Sequence, residues 1–222
     1  VKQGKKALFY LIVQYQTDKI EAERTIQMGN GNRGNTMIIK NGLVFTPEGK
    51  FEKKDFYIEG EYVAKETTDN KEVEAEGCYV IPGLVDIHFH GCVRHDMCDG
   101  TEESIQALAD YEAANGVLAI CPATMTIPEE ELFQAMNAAR EHKNGKGADL
   151  VGINMEGPFV SPHKAGAQNP VFVMKPDPEF FRRAQALSGN KIKLLAVAPD
   201  TENALDVIAM LKNEVLCSIA HT

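Results

Sequence analysis

Two histidines two residues apart, a carboxylate at the end of an apolar run and a third histidine at the end of another are the residues here whose types suit metal chemistry. The first group is Asp86-Ile87-His88-Phe89-His90, which closes an apolar, β-branched run starting at Leu84. Side chains of a strand alternate, so Asp86, His88 and His90 share one face and Ile87 and Phe89 the other. Two imidazoles on one face of a strand end are good zinc or iron ligands, and Gly91 lets the chain turn close to them. The plainer reading is two histidines satisfying hydrogen bonds in a core; an Asp on the same face argues against it. The second group is Asn154-Met155-Glu156-Gly157-Pro158-Phe159. A carboxylate between an apolar strand and a Gly-Pro turn is costly to bury unless paired or metal-bound. Glu156 is therefore expected to be a ligand rather than a turn residue. Ser218-Ile219-Ala220-His221-Thr222 places His221 at a strand end in the same way.

Other polar residues read more weakly. His95, beside Asp96 and Asp99, can line a pocket. His142 falls at a polar helix end and is expected to be solvated. His163 sits in a polar, Gly-containing loop, 161–170, that can carry substrate contacts. Asp200 can rim the pocket or cap the next helix, and the cap is the favoured reading. The five cysteines are odd in number, with no C-x-x-C pair. They read as free thiols in a reducing compartment, not as a disulfide or metal set.

The elements that must position these groups alternate along the chain. From Ile81 onward apolar runs at 84–89, 117–121, 150–155, 192–198 and 215–220 read as strands. Between them lie four helical patterns. The first is capped by Thr101 and buries Ile105, Leu108 and Tyr111; the second follows Pro128 and buries Leu132, Met136 and Ala139. The third, opened by Asp177-Pro178, carries Phe180, Phe181, Ala184 and Leu187. The fourth is opened by Thr201 and buries Leu205, Ile208 and Leu211. Five β/α repeats imply parallel pairing through right-handed crossovers. An open doubly wound sheet and a (β/α)8 barrel both fit. Polar residues at the C-terminal ends of strands one, three and five favour the α/β barrel, of which five repeats are only part. Before it, residues 37–44, a hairpin through 56–63 and a strand at 73–80 form a small β-rich module.

Composition bounds the rest. With 222 residues, 44% hydrophobic and 25% charged, the chain is an ordinary globular one, which excludes disorder, collagen and a coiled coil. A net charge of -9 argues against non-specific nucleic-acid binding. No apolar run approaches the ~18 residues of a membrane span. Residues 1–36 differ, with six Lys/Arg against three Asp/Glu and a Gly/Asn-rich stretch at 29–35. Lys2, Lys5 and Lys6 before an apolar run resemble a signal peptide, but that run has only seven residues and no cleavage site follows. Residues 1–36 are expected to be a disordered, non-core extension, with a small packed helix as the alternative. The stop at Thr222, directly after an apolar strand, reads as a cut.

The run Ile81-Pro82-Gly83-Leu84-Val85-Asp86-Ile87-His88-Phe89-His90-Gly91 resembles the first-strand signature of the amidohydrolase superfamily. Within it, Pro122-Ala123-Thr124-Met125-Thr126, Met155-Glu156-Gly157-Pro158-Phe159, Ala165-Gly166-Ala167-Gln168 and Ala220-His221-Thr222 resemble the N-acetylglucosamine-6-phosphate deacetylase family. The resemblance implies a (β/α)8 TIM barrel beside a small β-sandwich. Residues 37–80 would then be part of the sandwich and 81–222 the N-terminal part of the barrel. It implies that Glu156 is the metal carboxylate, His221 the first of two later metal histidines, and His88 and His90 the first-strand pair. One or two zinc or iron ions per subunit follow. Ala167 and Gln168 match a segment near the sugar, where some members have His in place of Gln168. The implied reaction is metal-assisted hydrolysis of the acetamide of a phosphorylated amino sugar by a cytoplasmic homodimer, an Asp moving the proton. That Asp and the family's second metal histidine have no match before Thr222, so the polypeptide alone is expected to be inactive and poorly folded. The alternatives are another amidohydrolase acting on a cyclic or linear amide, and a catalytically inactive fragment. Many cyclic-amide enzymes of the superfamily use a carboxylated lysine at the fourth strand, which here reads Leu195-Ala196-Val197-Ala198-Pro199.

Overall fold

A computed structural model of the chain describes residues 10–14, 36–59, 62–67 and 71–222, the first stretch as backbone only. The chain divides into two compact units, one built mainly from residues 1–84 and the other from most of 85–222.

The first unit is a β-sheet. Its strands are β1 (Tyr10–Gln14), β2 (Met37–Phe45), β3 (Phe51–Glu59), β4 (Tyr62–Ala64), β5 (Glu72–Glu74) and β6 (Cys78–Pro82), in the order β1-β6-β2-β3-β4 with β5 also on β2. Tyr10–Gln14 thus pair antiparallel with β6 although they fall in the segment expected to lie outside the core. The rest of 1–35 is outside the described residues. The single strand expected over 73–80 is two, separated by the turn at Gly77, whose φ is +75°. On β2 the inward positions are Met37 and Ile39, then Gly42 and Val44. The parity change is a bulge at Lys40-Asn41, with Asn41 at φ 61°. One extra residue returns the apolar set to the same face. Asp55 holds the bulge, accepting from Asn41 N at 3.0 Å and Lys40 Nζ at 2.7 Å. Met37, Ile39, Val44, Phe56, Ile58, Ala75, Cys78 and Val80 form the core of this sheet.

The second unit carries the β/α succession: β7 (Leu84–Asp86), a short hairpin of β8 (Gly91–Cys92) and β9 (His95–Asp96), α1 (Glu102–Ala114), β10 (Val117–Ile120), α2 (Glu129–Glu141), β11 (Asp149–Leu150), β12 (Ile153–Met155), α3 (Pro178–Leu187), β13 (Ile192–Val197), α4 (Ala204–Leu211) and β14 (Leu216–Ile219). The caps follow the residue chemistry. Thr101 Oγ1 accepts from Ser104 N at 3.1 Å, and Asp177 Oδ1 from Glu179 N at 2.8 Å with Pro178 as the first helical residue. The third strand is broken at Val151-Gly152. Its first half pairs parallel with β10 and its second half parallel with β13, which pairs parallel with β14. An Ala123–Asn154 bridge joins the two halves of the sheet. The fold is α/β, as expected.

Three faces differ from the sequence pattern. On α1, Tyr111 is 42% exposed while Ala109 and Ala113 are buried. On α4 the inward residues are Ala204, Val207 and Leu211, and Leu205 is 68% exposed. The helix starts at Ala204, after Asn203 in the left-handed region, and not at Thr201. His142 is buried, not solvated. It ends α2, and Lys191 covers that end by donating to the carbonyls of Ala139 (2.5 Å) and His142 (3.4 Å). A cation there suits the negative end of the helix.

Candidate metal centre

The strand carrying the first histidine pair stops at Asp86, not at Phe89. The Asp86 carboxylate turns back and accepts from His88 N at 2.9 Å, a local bond that competes with strand continuation. Asp86 therefore does not share a metal-facing side with the histidines. His88 and His90 lie on irregular chain, their rings 5.4 Å apart and nearly perpendicular. Gly91, next in the chain, packs directly under the carbonyl of His95, where no side chain fits.

Glu156 follows β12, and its side chain is only 5% exposed. Its backbone is fixed by Thr124, whose hydroxyl accepts from Glu156 N at 3.1 Å and lies 3.2 Å from Glu156 O. Gly157, at φ +78°, packs against Thr126 so closely that a Cβ would collide with its hydroxyl. Oε2 of Glu156 is 3.1 Å from His88 Nε2 and 3.5 Å from His90 Nε2, and has no hydrogen-bond partner. Donors about 2.0–2.2 Å from one ion stand roughly 3.0–3.5 Å from each other. Both distances fit ligands of a shared ion, and His88, His90 and Glu156, whose ligand atoms all lie within 4.8 Å of one another, form a group that can hold one. Among the described residues no other such group occurs.

His221 reaches the other oxygen. Its Nε2 lies 2.5 Å from Glu156 Oε1, and its Nδ1 lies 3.1 Å from Lys164 O. That is hydrogen-bond spacing, shorter than the separation of two ligands on one ion. Its backbone sits at φ 52°, a conformation uncommon for a non-Gly residue. The neighbouring network is built by Asp200, which is not a helix cap: its carboxylate accepts from Thr222 Oγ1 at 2.7 Å and Ser161 Oγ at 2.9 Å. These two hydroxyls hold its pKa below the usual carboxylate value. Ser161 N in turn donates to His221 O at 3.0 Å.

Gln168, expected near a sugar, is buried. Its Nε2 donates to Glu156 Oε1 at 2.9 Å and its Oε1 accepts from Thr126 N at 2.5 Å. Ala167 is exposed in the turn closed by Gln168 N to Ala165 O, 2.9 Å. His163 is exposed, and His95 bonds Ser104 Oγ at 3.1 Å, away from the carboxylate. Burial pushes the Cys98 thiol up to about 12 and the Cys121 thiol to about 11, so both stay protonated at neutral pH. Sequence reasoning gave no role to Thr124 or Asn154. Asn154 Nδ2 lies 3.0 Å from His88 Nδ1 and 3.1 Å from Ile87 O. The available signal was a polar residue inside an otherwise apolar strand, Ile153-Asn154-Met155.

An α/β chain with a buried carboxylate facing histidines at its strand ends is, as a class, a candidate divalent-metal protein. Comparison with known proteins gives the particular relationship, to N-acetylglucosamine-6-phosphate deacetylases. The chain is 32% identical over 192 residues to that enzyme from Bacillus subtilis (83% of this chain, 47% of the relative). It is 29% identical over 195 residues to the one from Lysinibacillus sphaericus (84% and 50%). The crystal structure of the Mycobacterium smegmatis enzyme superimposes with a TM-score of 0.72 at 24% identity, covering 84% of this chain and 50% of that one, and so shares its fold. No protein-family model matches the chain. The chain spans about half the length of the curated relatives it matches. Among the described residues no helix is long and apolar enough to cross a membrane.

Proposed function

We propose that the whole protein is a divalent-metal-dependent hydrolase that converts N-acetylglucosamine 6-phosphate to glucosamine 6-phosphate and acetate. The observation that carries this reading is Glu156 Oε2, a buried carboxylate oxygen without a hydrogen bond, faced by His88 Nε2 and His90 Nε2. A carboxylate in that setting calls for a cation. The relatives, N-acetylglucosamine-6-phosphate deacetylases, supply the reaction.

His88, His90 and Glu156 would hold zinc or iron, one or two ions per subunit, with His221 on the second oxygen of Glu156. The chemistry such an ion supplies when bound is polarisation of the amide carbonyl and a more acidic water. Asn154 Nδ2 donates to Ile87 O and lies 3.0 Å from His88 Nδ1, which fixes the position of the His88 ring. Glu156, held by Thr124, contributes the negative charge. The exposed turn at Ala167 is the sugar-facing candidate beside Gln168. No residue of this chain is assigned the proton-transfer role.

The order of the strands supports the partial (β/α)8 barrel. β7, β10, the broken third strand, β13 and β14 lie side by side in chain order, whereas a doubly wound sheet reverses order at a switch point. Val85, Ile87, Leu216 and Ile219 are exposed on the two outer strands and their margins, where further barrel strands would cover them. Residues 37–80 are read as part of the accompanying sandwich, and a cytoplasmic homodimer as the working assembly.

Metal content and acetate release of the full-length protein test the reading. We expect bound zinc or iron, acetate release from N-acetylglucosamine 6-phosphate, loss of that activity on chelation, and its return with metal. A full-length protein without metal or acetate release would overturn it.

A further inference from the structure

We infer that Gln168 is a positioning residue for Glu156, holding Oε1 so that Oε2 alone is presented to His88 and His90. The inference rests on the metal reading proposed above. Four observations carry it. Gln168 is 3% exposed, so its amide has little water to bond. Its orientation is determined, because Thr126 N can only donate and so fixes the amide oxygen at 2.5 Å. The amide nitrogen then points to Glu156 Oε1 at 2.9 Å, with Met125 Sδ at 3.6 Å as its second neighbour. A flipped amide would place its oxygen against the carboxylate and its nitrogen against a backbone donor, two repulsions at once. Finally, the two carboxylate oxygens differ: Oε1 has Gln168 and His221, whereas Oε2 has no hydrogen bond.

The Gln168 amide donates to Oε1, and His221 Nε2 crowds the same oxygen at 2.5 Å. The other oxygen remains the free ligand atom, and the carboxylate cannot rotate to exchange the two without losing the Gln168 bond. Gln168 therefore favours single-oxygen ligation by Glu156 and sets its direction. Because Thr126 N anchors Gln168, the segment after β10 and the turn at 165–168 act together on one carboxylate. Gln168 is not a catalytic residue; it acts through Glu156. Groups that orient a ligand in this way typically contribute 10–100-fold to metal affinity.

The test is Gln168→Met in the full-length protein, which keeps length and apolar volume and removes both hydrogen bonds. Zinc affinity is measured by competition with a chromophoric chelator, and the absorption bands of the cobalt-loaded protein report ligand geometry. We expect zinc affinity to fall by about 10–100-fold and the cobalt bands to change as Glu156 becomes free to bind through either oxygen. A purely structural role would lower the melting temperature but leave the cobalt bands unmoved. If Gln168→Met does not fold, Gln168→Asn, whose amide stops one methylene short, is read by the same two measurements. Unchanged affinity and unchanged cobalt bands in a folded variant overturn the inference while the metal reading stands. Failure of the wild type to bind zinc or cobalt overturns the metal reading first, and this inference with it.

Discussion

Glu156→Gln keeps the side-chain volume and removes the charge, so its effect has opposite signs with and without metal. The wild-type carboxylate is 5% exposed and its Oε2 has no hydrogen bond. A buried polar atom left unsatisfied costs about 1–3 kcal/mol, more when charged. With chelator present, the neutral variant should therefore melt at or above the wild type, by up to about that amount. With zinc at about 100 times its Kd the wild type should gain about 2.7 kcal/mol. For a full-length protein about twice as long as this chain, at about 2.1 cal/mol/K per residue, that is roughly 3 °C in Tm. The variant lacks the anionic ligand and should gain less than about 1 °C on the same scale. Thermal unfolding of the full-length proteins, with chelator and then with zinc, measures both. A variant that melts several degrees below wild type in chelator would show that the carboxylate is a structural ion-pair partner. Equal zinc responses would show that it is not a ligand.

Two further substitutions follow from the packing. Gly157→Ala should destabilise the fold by about 1–3 kcal/mol, because a Cβ collides with Thr126 and φ is +78°. The same displacement moves Glu156, so zinc should no longer raise Tm; a variant with wild-type zinc response would refute the packing argument. His142 is buried with neither ring nitrogen hydrogen-bonded, and burial, aided by Lys191, pulls its pKa below 6.5. The unfolded chain then binds the extra proton first. The stability from a neutral His142 is present above pH ~6.5 and lost as pH falls through the lowered folded value. His142→Leu should flatten the acid side of a Tm-against-pH curve between those points, and an unchanged slope would show that other groups set it.

Much of the fold was legible because period and punctuation carry it. The caps at Thr101 and Asp177, the inner stripe of α2 and the α/β alternation all come from local residue chemistry. On α1 and α4 the expected Ile105, Leu108 and Leu211 are buried, but Tyr111 and Leu205 are exposed, and Ala109, Ala204 and Val207 take the inside. Apolar character alone does not say which residues at the margin of a stripe face inward. The broken third strand was not legible either, since each half follows a different neighbour.

The site divides along the same line. Sequence by itself singled out His88, His90, Glu156 and His221 as candidate metal ligands, because each falls at the end of an apolar run. Gln168 was marked only by the family resemblance, and as a residue near a sugar. Tertiary structure decided that Oε2 of Glu156 faces His88 and His90 while Oε1 faces His221 and Gln168. It also decided that Asp86 caps its own chain instead of joining them, and that Asp200 braces Ser161 and Thr222. Residue type and spacing record which groups are available. Which oxygen meets which nitrogen depends on backbone bonds between segments as far apart in the chain as Thr126 and Gln168, and no local pattern encodes these.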